Sequence, residues 1–316
     1  MYEKLKKWFK SKGGTKKHAA LIGLAIALVL FDVGQLYYKE HGLGNHLNAE
    51  TSVHFIDVGQ GDSELIVSGD QAVLIDAGPT SAADTVVNYL KKQKISHLHA
   101  VIATHPHEDH IGGMAAVLAN FKVDAVYMPN TTASTQAFER MMDMIETKNI
   151  SVVTPKVNDG IMLDSGAYLQ FLSPAPDKTF DNVNNYSLVT MLEAGRHKVL
   201  FMGDAEKEIE DALVHSEAVL TCDVLKVGHH GSKTSSTLEF LKRTKAKTAV
   251  ISCGADNVYG FPDPETIQNL KDAGFTKIYN TAVDGTVVLK FETTEKNNEQ
   301  TAEQSSEPSQ KEENAA

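Results

Sequence analysis

THPHEDHIGG, residues 104–113, sets His105, His107, Asp109 and His110 within six positions, directly behind the apolar run 100–103. Neutral imidazole and carboxylate are ligands of Zn2+ and Mn2+, and a strand ending in a tight loop lets side chains two residues apart converge on one ion. Asp109 and His110 follow closely enough to reach a second. Composition alone seldom produces such a pattern, so a merely solvated polar loop is the weaker reading.

Outward from this loop, 98–103 reads as the strand that delivers it and 114–119 as a helix that follows. The chain between 51 and 289 opens with strands and turns at 53–58, 63–67 and 72–75. It then alternates helices near 82–94, 135–148 and 207–215 with strands at 125–128, 168–172, 187–192, 198–202, 224–227 and 248–252. Asp263 as N-cap, Pro264 at the first helical position and Gly274 past the end bracket a last helix. A short strand at 277–279 and a closing one at 285–290 complete the pattern. The fold class expected is α/β, with layers of sheet covered by helices. No internal repeat or linker interrupts 51–292, so a single domain is expected there.

Two ions need roughly eight coordination positions, some of them left to water. Other strand ends must therefore contribute. Asp204 follows Gly203 at the end of 198–202, His229 and His230 stand between Gly228 and Gly231 after 224–227, and Asn184 and Asn185 precede Ser187 at the head of 187–192. Turn formation is the plainer role for Asp204 and the asparagines. A histidine pair between glycines in a loop favours function. His97 and His99 share the ligand spacing but begin the strand whose end bears His105, several residues at about 3.3 Å each away, and read as surface or sheet-edge histidines. Ser232, Lys233, Thr234, Ser235 and Ser236 precede the helical pattern 237–243, where helix-start amides and Lys233 offer an anion cradle. Ordinary capping is the alternative there.

The two ends of the chain differ from its body. Residues 1–18 hold seven lysines against Glu3 and read as a basic cytoplasmic N-terminus. The thirteen residues 19–31 carry no charge, and 19–38 is expected to be an uncleaved signal anchor, with a removed signal peptide as alternative. A linker at 39–50 then leads to the folded region. On this expectation the protein sits in the cell membrane as a single-pass chain with an extracellular C-terminal domain, or is secreted after cleavage. Residues 293–316, rich in Glu, Gln, Ser and Asn, are expected to form a disordered acidic tail. The 316-residue chain carries a net charge of −11, and residues 19–294 carry −13. So acidic a body has no broad basic footprint for a nucleic-acid duplex. Cys222 and Cys253 sit at opposite ends of different expected strands, which disfavours a disulfide.

Taken together these segments resemble the metallo-β-lactamase superfamily, and within it the exported domain of ComEC-type DNA-uptake proteins. The residues that carry the resemblance are FIDVGQGDS at 55–63, LIDAG at 74–78, the 104–113 loop, Asn184 to Ser187, FMGD at 201–204 and VGHHGSKTSS at 227–236. The resemblance implies a four-layer αβ/βα sandwich with two divalent metal ions, Zn or Mn, at one edge. By motif, His105, His107 and Asp204 would hold one ion, Asp109, His110 and Asp204 the other, with His229 or His230 adding a ligand. The implied reaction is hydrolysis of a phosphodiester, in a nucleic acid, a nucleotide or the cell envelope, by a hydroxide bound between the two metals. Asp109 and Asp204 would be its catalytic carboxylates, and Asn184, Ser187, Ser232, Lys233 and Ser235 would meet the substrate. Hydrolysis of another ester or amide such as a β-lactam, and a non-catalytic metal-binding or interaction module, are the alternatives. One departure stands out: similar proteins often follow Tyr-Gly with His-Pro, whereas here Tyr259-Gly260 is followed by Phe261-Pro262.

Overall fold

Along the residues described by the computed structural model, 50–175 and 177–291, the chain opens as a meander. Strands β1 (Thr51–Phe55), β2 (Glu64–Ser68) and β3 (Gln71–Ile75) pair antiparallel in succession. Their residues Val53, Phe55, Ile66, Val73 and Ile75, β-branched or aromatic, are all buried on one side, as a pleated face against a core requires. Helix and strand then alternate: α1 (Ala83–Lys92), β4 (His97–Leu98), β5 (Ala100–Ile102), α2 (Glu108–Ile111), α3 (Met114–Asn120), β6 (Lys122–Val123), β7 (Ala125–Tyr127), α4 (Gln136–Lys148) and β8 (Ser151–Val153). A second meander follows in β9 (Gly160–Met162), β10 (Tyr168–Ser173), β11 (Val189–Ala194) and β12 (His197–Phe201). After it come α5 (Lys207–Val214), β13 (Val224–Lys226), α6 (Leu238–Thr244), β14 (Thr248–Ile251), α7 (Pro264–Ala273), β15 (Lys277–Asn280), α8 (Thr281–Asp284) and β16 (Val287–Phe291).

The strands form two seven-stranded sheets, ordered β16-β1-β2-β3-β5-β7-β8 and β15-β14-β13-β12-β11-β10-β9, beside a short β4-β6 pair. Each large sheet is antiparallel where its meander lies and parallel where crossovers carry helices. The sheets face each other across a core that includes Phe55, Val73 and Ile102 from one and Phe171, Leu192 and Phe201 from the other, with the Phe55 and Phe201 rings stacked at 6.1 Å. Truncating a phenylalanine so placed costs about 3–5 kcal/mol, because the cavity it leaves cannot fully collapse. The outer face of the first sheet is covered by α1, α3 and α4, that of the second by α5, α6 and α7. The expected α/β layered sandwich is thus the observed one.

Local signals account for the covering helices. In α4, Phe138, Met141 and Ile145 recur at helical spacing and are buried, the Thr135 side chain accepts from Phe138 N, and Asn149 stops the helix in a left-handed conformation. In α7 the Asp263 cap accepts from Glu265 N, Pro264 begins the helix and Gly274 closes it at φ 91°. His97 and His99 lie against Asp124, at 2.8 and 3.4 Å, away from the carboxyl ends of the parallel strands. Cys222 and Cys253 are free and buried, and burial pushes the Cys222 thiol up to about 12.

The expected placement in a membrane with an extracellular domain, or as a secreted protein, is corrected. Among the described residues no helix is long and apolar enough to cross a membrane. The expected anchor at 19–38 and the expected tail at 293–316 lie outside the described residues.

Candidate metal centre

Six segments meet at one edge of the sandwich, most of them at the carboxyl ends of parallel strands, where open α/β sheets gather ligand-binding side chains. β3 runs into Asp76, β5 into Thr104 and His105, β12 into Asp204, β13 into His229 and His230, and β14 into Ser252. The sixth is the β1–β2 loop, which brings in Asp62. Its approach depends on Gly61, at φ 142°, since a Cβ there would stand 2.2 Å from the Asp109 carbonyl oxygen. That carbonyl accepts from Asp62 N at 3.1 Å. Gly203, at φ 52°, makes the turn that swings Asp204 inward, where Ser187 Oγ accepts from its amide at 3.0 Å.

The side chains sort into two groups that share one residue. Asp62, His110, Asp204 and His230 form the first and His105, His107 and Asp204 the second, the ligand atoms of each lying within 4.8 Å of one another. All four members of the first group are buried, whereas His107 of the second is exposed. His110 Nε2 and His230 Nε2 face each other at 3.3 Å, and both face Asp204 Oδ1, at 3.2 and 3.4 Å. His105 Nε2 lies 3.0 Å from His107 Nδ1 and 3.7 Å from Asp204 Oδ2.

The outer nitrogens of these rings are already committed. His230 Nδ1 donates to the Ser252 carbonyl at 2.9 Å, and His110 Nδ1 donates to Asp76 Oδ2 at 2.7 Å. Asp76 is in turn fixed by Thr104, whose amide and hydroxyl both donate to it, at 2.9 and 2.6 Å. The Thr104 hydroxyl proton being spent on Asp76, its oxygen accepts from His105 Nδ1 at 3.1 Å. In the neutral rings each Nε2 therefore carries a lone pair aimed inward, the tautomer that metal-binding histidines adopt when their other nitrogen is hydrogen-bonded.

So arranged, the centre is short of positive charge. Burial disfavours the cation at His110 and at His230, yet Asp204 with Asp76 or Asp62 outweighs burial and holds both well above the ordinary imidazole range. Burial likewise opposes the charge on Asp204, but His110 and His230 hold that carboxyl well below its usual range. At His105 burial dominates, and the proximity of His110 adds to it, so the ring is held well below its ordinary value. Asp204 Oδ1 and Asp62 Oδ1 are buried without a hydrogen-bond partner. Facing lone pairs, orphaned carboxylate oxygens and imidazoles that would otherwise be forced to hold protons are the donor set of a divalent cation. The residues fit two such ions, with Asp204 common to both.

Each expected site residue has a definite place. His105, His107, His110, Asp204 and His230 come together. Asp109 sits at the rim, its Oδ2 3.1 Å from His230 Nε2, while Asp62 fills the four-residue group. The histidine pair splits: His229 is part-exposed, with Nε2 3.9 Å from Asp204 Oδ2 and Nδ1 2.9 Å from Thr234 Oγ1. Asn184 lies beside it, Nδ2 3.5 Å from His229 Nε2 and donating to Glu206 at 2.8 Å. Asn185 instead ties down the turn after β12, donating to Glu208 and accepting from Glu206 N. Ser187 supports the centre through Asp204 and His105.

The anion cradle expected at 232–236 is already filled by the protein. Buried Glu210 accepts from the amides of Ser236 and Thr237, the latter at 2.8 Å, and burial pushes its carboxyl up to about 7. Ser235 is buried and donates to the Gly228 and Ser232 carbonyls, Ser232 accepts from Thr234 N, and Lys233 is exposed. Ordinary capping, the alternative reading of this stretch, is not seen either: Thr237 at the N-cap makes no side-chain cap hydrogen bond, and the helix-start amides are taken by Glu210 of α5.

Asp62, Asp76 and Lys226 escaped notice as site residues. Lys226 is buried and donates to Asp62 Oδ2 at 2.8 Å, which leaves Oδ1 turned to the histidines. The signal for Asp62 was its position after Gly61 in DVGQGDS, and for Asp76 its position between a buried strand and Gly78.

The chain belongs to the metallo-beta-lactamase superfamily, whose family model matches residues 56–255. Among its relatives, ComE operon protein 3 of Bacillus subtilis is 33% identical over 78% of this chain and 34% of its own length. Recombination protein 2 of Haemophilus influenzae is 31% identical over 76% of this chain and 29% of its own length, and competence protein ComA of Neisseria gonorrhoeae 29% over 84% and 35%. The chain thus spans about a third of the length of these relatives. Its fold is shared with the metallo-beta-lactamase fold protein YhfI of Bacillus subtilis, at TM-score 0.52 and 14% identity over 77% of this chain and all of that one.

Proposed function

We propose that this chain is a metal-dependent phosphodiesterase or nuclease that works with two divalent ions, zinc or manganese. The observation that carries the reading is the shared carboxylate of Asp204, set between a buried group with Asp62, His110 and His230 and a more open group with His105 and His107. When bound, a pair of such ions supplies an acidified water and offsets charge developing on phosphate oxygens. Burial opposes the charge on Asp109, but the neighbouring His110 and His230 outweigh it and keep the carboxyl below its usual range. At the rim it would accept a hydrogen bond from the attacking water that the ions supply and so align it. Lys226 holds Asp62, and Asp76 and Ser187 hold His110, His105 and Asp204, so that no ligand must reorganise as charge moves.

The names of the relatives, competence and recombination proteins, support a nucleic-acid phosphodiester over a β-lactam. With −13 on residues 19–294, phosphate recognition falls to the metals and the few donors around them.

The test is metal analysis of the purified full chain together with a substrate panel. About two Zn or Mn ions per chain are expected, with cleavage of bis(p-nitrophenyl) phosphate and DNA that is lost in Asp109→Ala and Asp204→Ala. Nitrocefin turnover without phosphodiester cleavage, or a metal-free inactive protein, overturns the proposal.

A further inference from the structure

Three rings lead outward from the buried centre in a continuous stack. Phe261 lies over His230 with centroids 6.3 Å apart and planes 28° from parallel, and Tyr259 lies over Phe261 at 5.3 Å and 16°. Phe261 also meets His229 edge-on at 5.7 Å. The stack is held in place before any ligand arrives. Asn257 Nδ2 donates to the Phe261 carbonyl and Asn257 Oδ1 accepts from its amide, both at 2.8 Å. Phe261 is half-buried between its two neighbours, whereas Tyr259 is 67% exposed and the adjoining Val258 is 91% exposed. Gly260, at φ 76°, turns the chain so that the two aromatic side chains overlap. An exposed aromatic ring, fixed on a rigid stack whose foot is a candidate metal ligand, makes a surface that no hydrophobic core requires.

We propose that Tyr259 is the outer step of a base-binding shelf, on which a nucleobase of single-stranded nucleic acid stacks while its phosphodiester reaches the metal centre. The inference rests on the phosphodiesterase reading and adds the substrate class. Stacking suits this chain because residues 19–294 carry a net −13, which repels a phosphate backbone, while a base presents a π-face to an aromatic ring whatever its sequence. In a duplex the bases are already stacked on one another, so the shelf selects unpaired strands. Phe261, which has no nitrogen to offer a metal, contributes instead by spacing Tyr259 one ring beyond His230.

The test compares labelled hexathymidylate with a hexamer of the same phosphates carrying tetrahydrofuran abasic residues. Binding is read by fluorescence anisotropy in chelator, and cleavage in Zn2+ or Mn2+. Wild type is expected to bind the base-bearing strand on the order of tenfold more tightly. Tyr259→Ala and Tyr259→Leu should abolish that preference, while Tyr259→Phe should keep it. Equal binding of the two strands by wild type, or a preference that survives in Tyr259→Ala, overturns the shelf. Cleavage of both strands at equal rates refutes the shelf and leaves the phosphodiesterase reading standing. Base-dependent binding through Tyr259 with no cleavage of either strand does the reverse.

Discussion

The two halves of the candidate centre share Asp204 and differ in almost everything else. Asp62, His110 and His230 are sealed from solvent, and each is backed by a partner: Lys226 behind Asp62, Asp76 behind His110, the Ser252 carbonyl behind His230. On the other side His105 is buried but His107 is exposed, with part-exposed His229 beside it. The sealed half is part of the fold, because removing one of its charges strands another in a medium that solvates neither. The open half faces solvent, the side from which the proposed substrate would arrive. One carboxylate thus links a sealed half to an open half.

The comparison breaks most completely at Asp204. Asp204→Ala should leave close to no bound metal by elemental analysis and lower phosphodiesterase turnover by about 10^3-fold or more, since several kcal/mol of transition-state stabilisation go with the ions. A finer division comes from two histidines. His110→Ala removes the partner of buried Asp76 and should cost about 3–5 kcal/mol in chemical denaturation. His107→Ala should stay within about 0.5 kcal/mol of wild type, as exposed substitutions do, while metal content falls from two ions toward one. Equal destabilisation by both variants would dissolve the distinction between the halves.

A milder, pH-dependent effect lies behind the centre, at Glu210. Its folded pKa of about 7 stands above the ordinary value of 4.5, so the folded protein keeps a proton that the unfolded chain has released. Stability from this group is therefore greatest at low pH, falls as pH rises from about 4.5 to about 7, and is level above. The change is at most on the order of 3 kcal/mol. Urea midpoints across that window should show the decline in wild type and lack this component in Glu210→Gln. A parallel pH dependence in the two proteins would assign it elsewhere.

Much of this was legible from local pattern. Alternating and continuous apolar runs located most of the strands, and Asp263, Pro264 and Gly274 marked α7 closely, because caps and turns are decided by nearest neighbours. The turn of helix α2 that carries Asp109 and His110 looked like plain loop, being only four residues long and without a capping side chain. The short strands β8 and β9 went unseen for a similar reason: they are edge strands with few buried residues, so their apolar signal is weak.

The division is sharpest at the carboxylates and the serine-rich loop. By itself the sequence determined that His105, His107 and His110 lie near one another, because a strand end and the few residues after it fix their separation. Only the tertiary structure decided that Asp62 and Asp76 join Asp204 beside them. Asp62 is carried by the β1–β2 loop and Asp76 by the end of β3, both far along the chain from the 104–113 loop, so their approach to its imidazoles is set only when the chain folds. The same holds for the amides before α6: an unfilled helix start and one already bonded to Glu210, more than twenty residues away, read identically along the chain. Charge pairing in a buried site acts through space over a few ångströms, so it is settled when the two sheets close on each other.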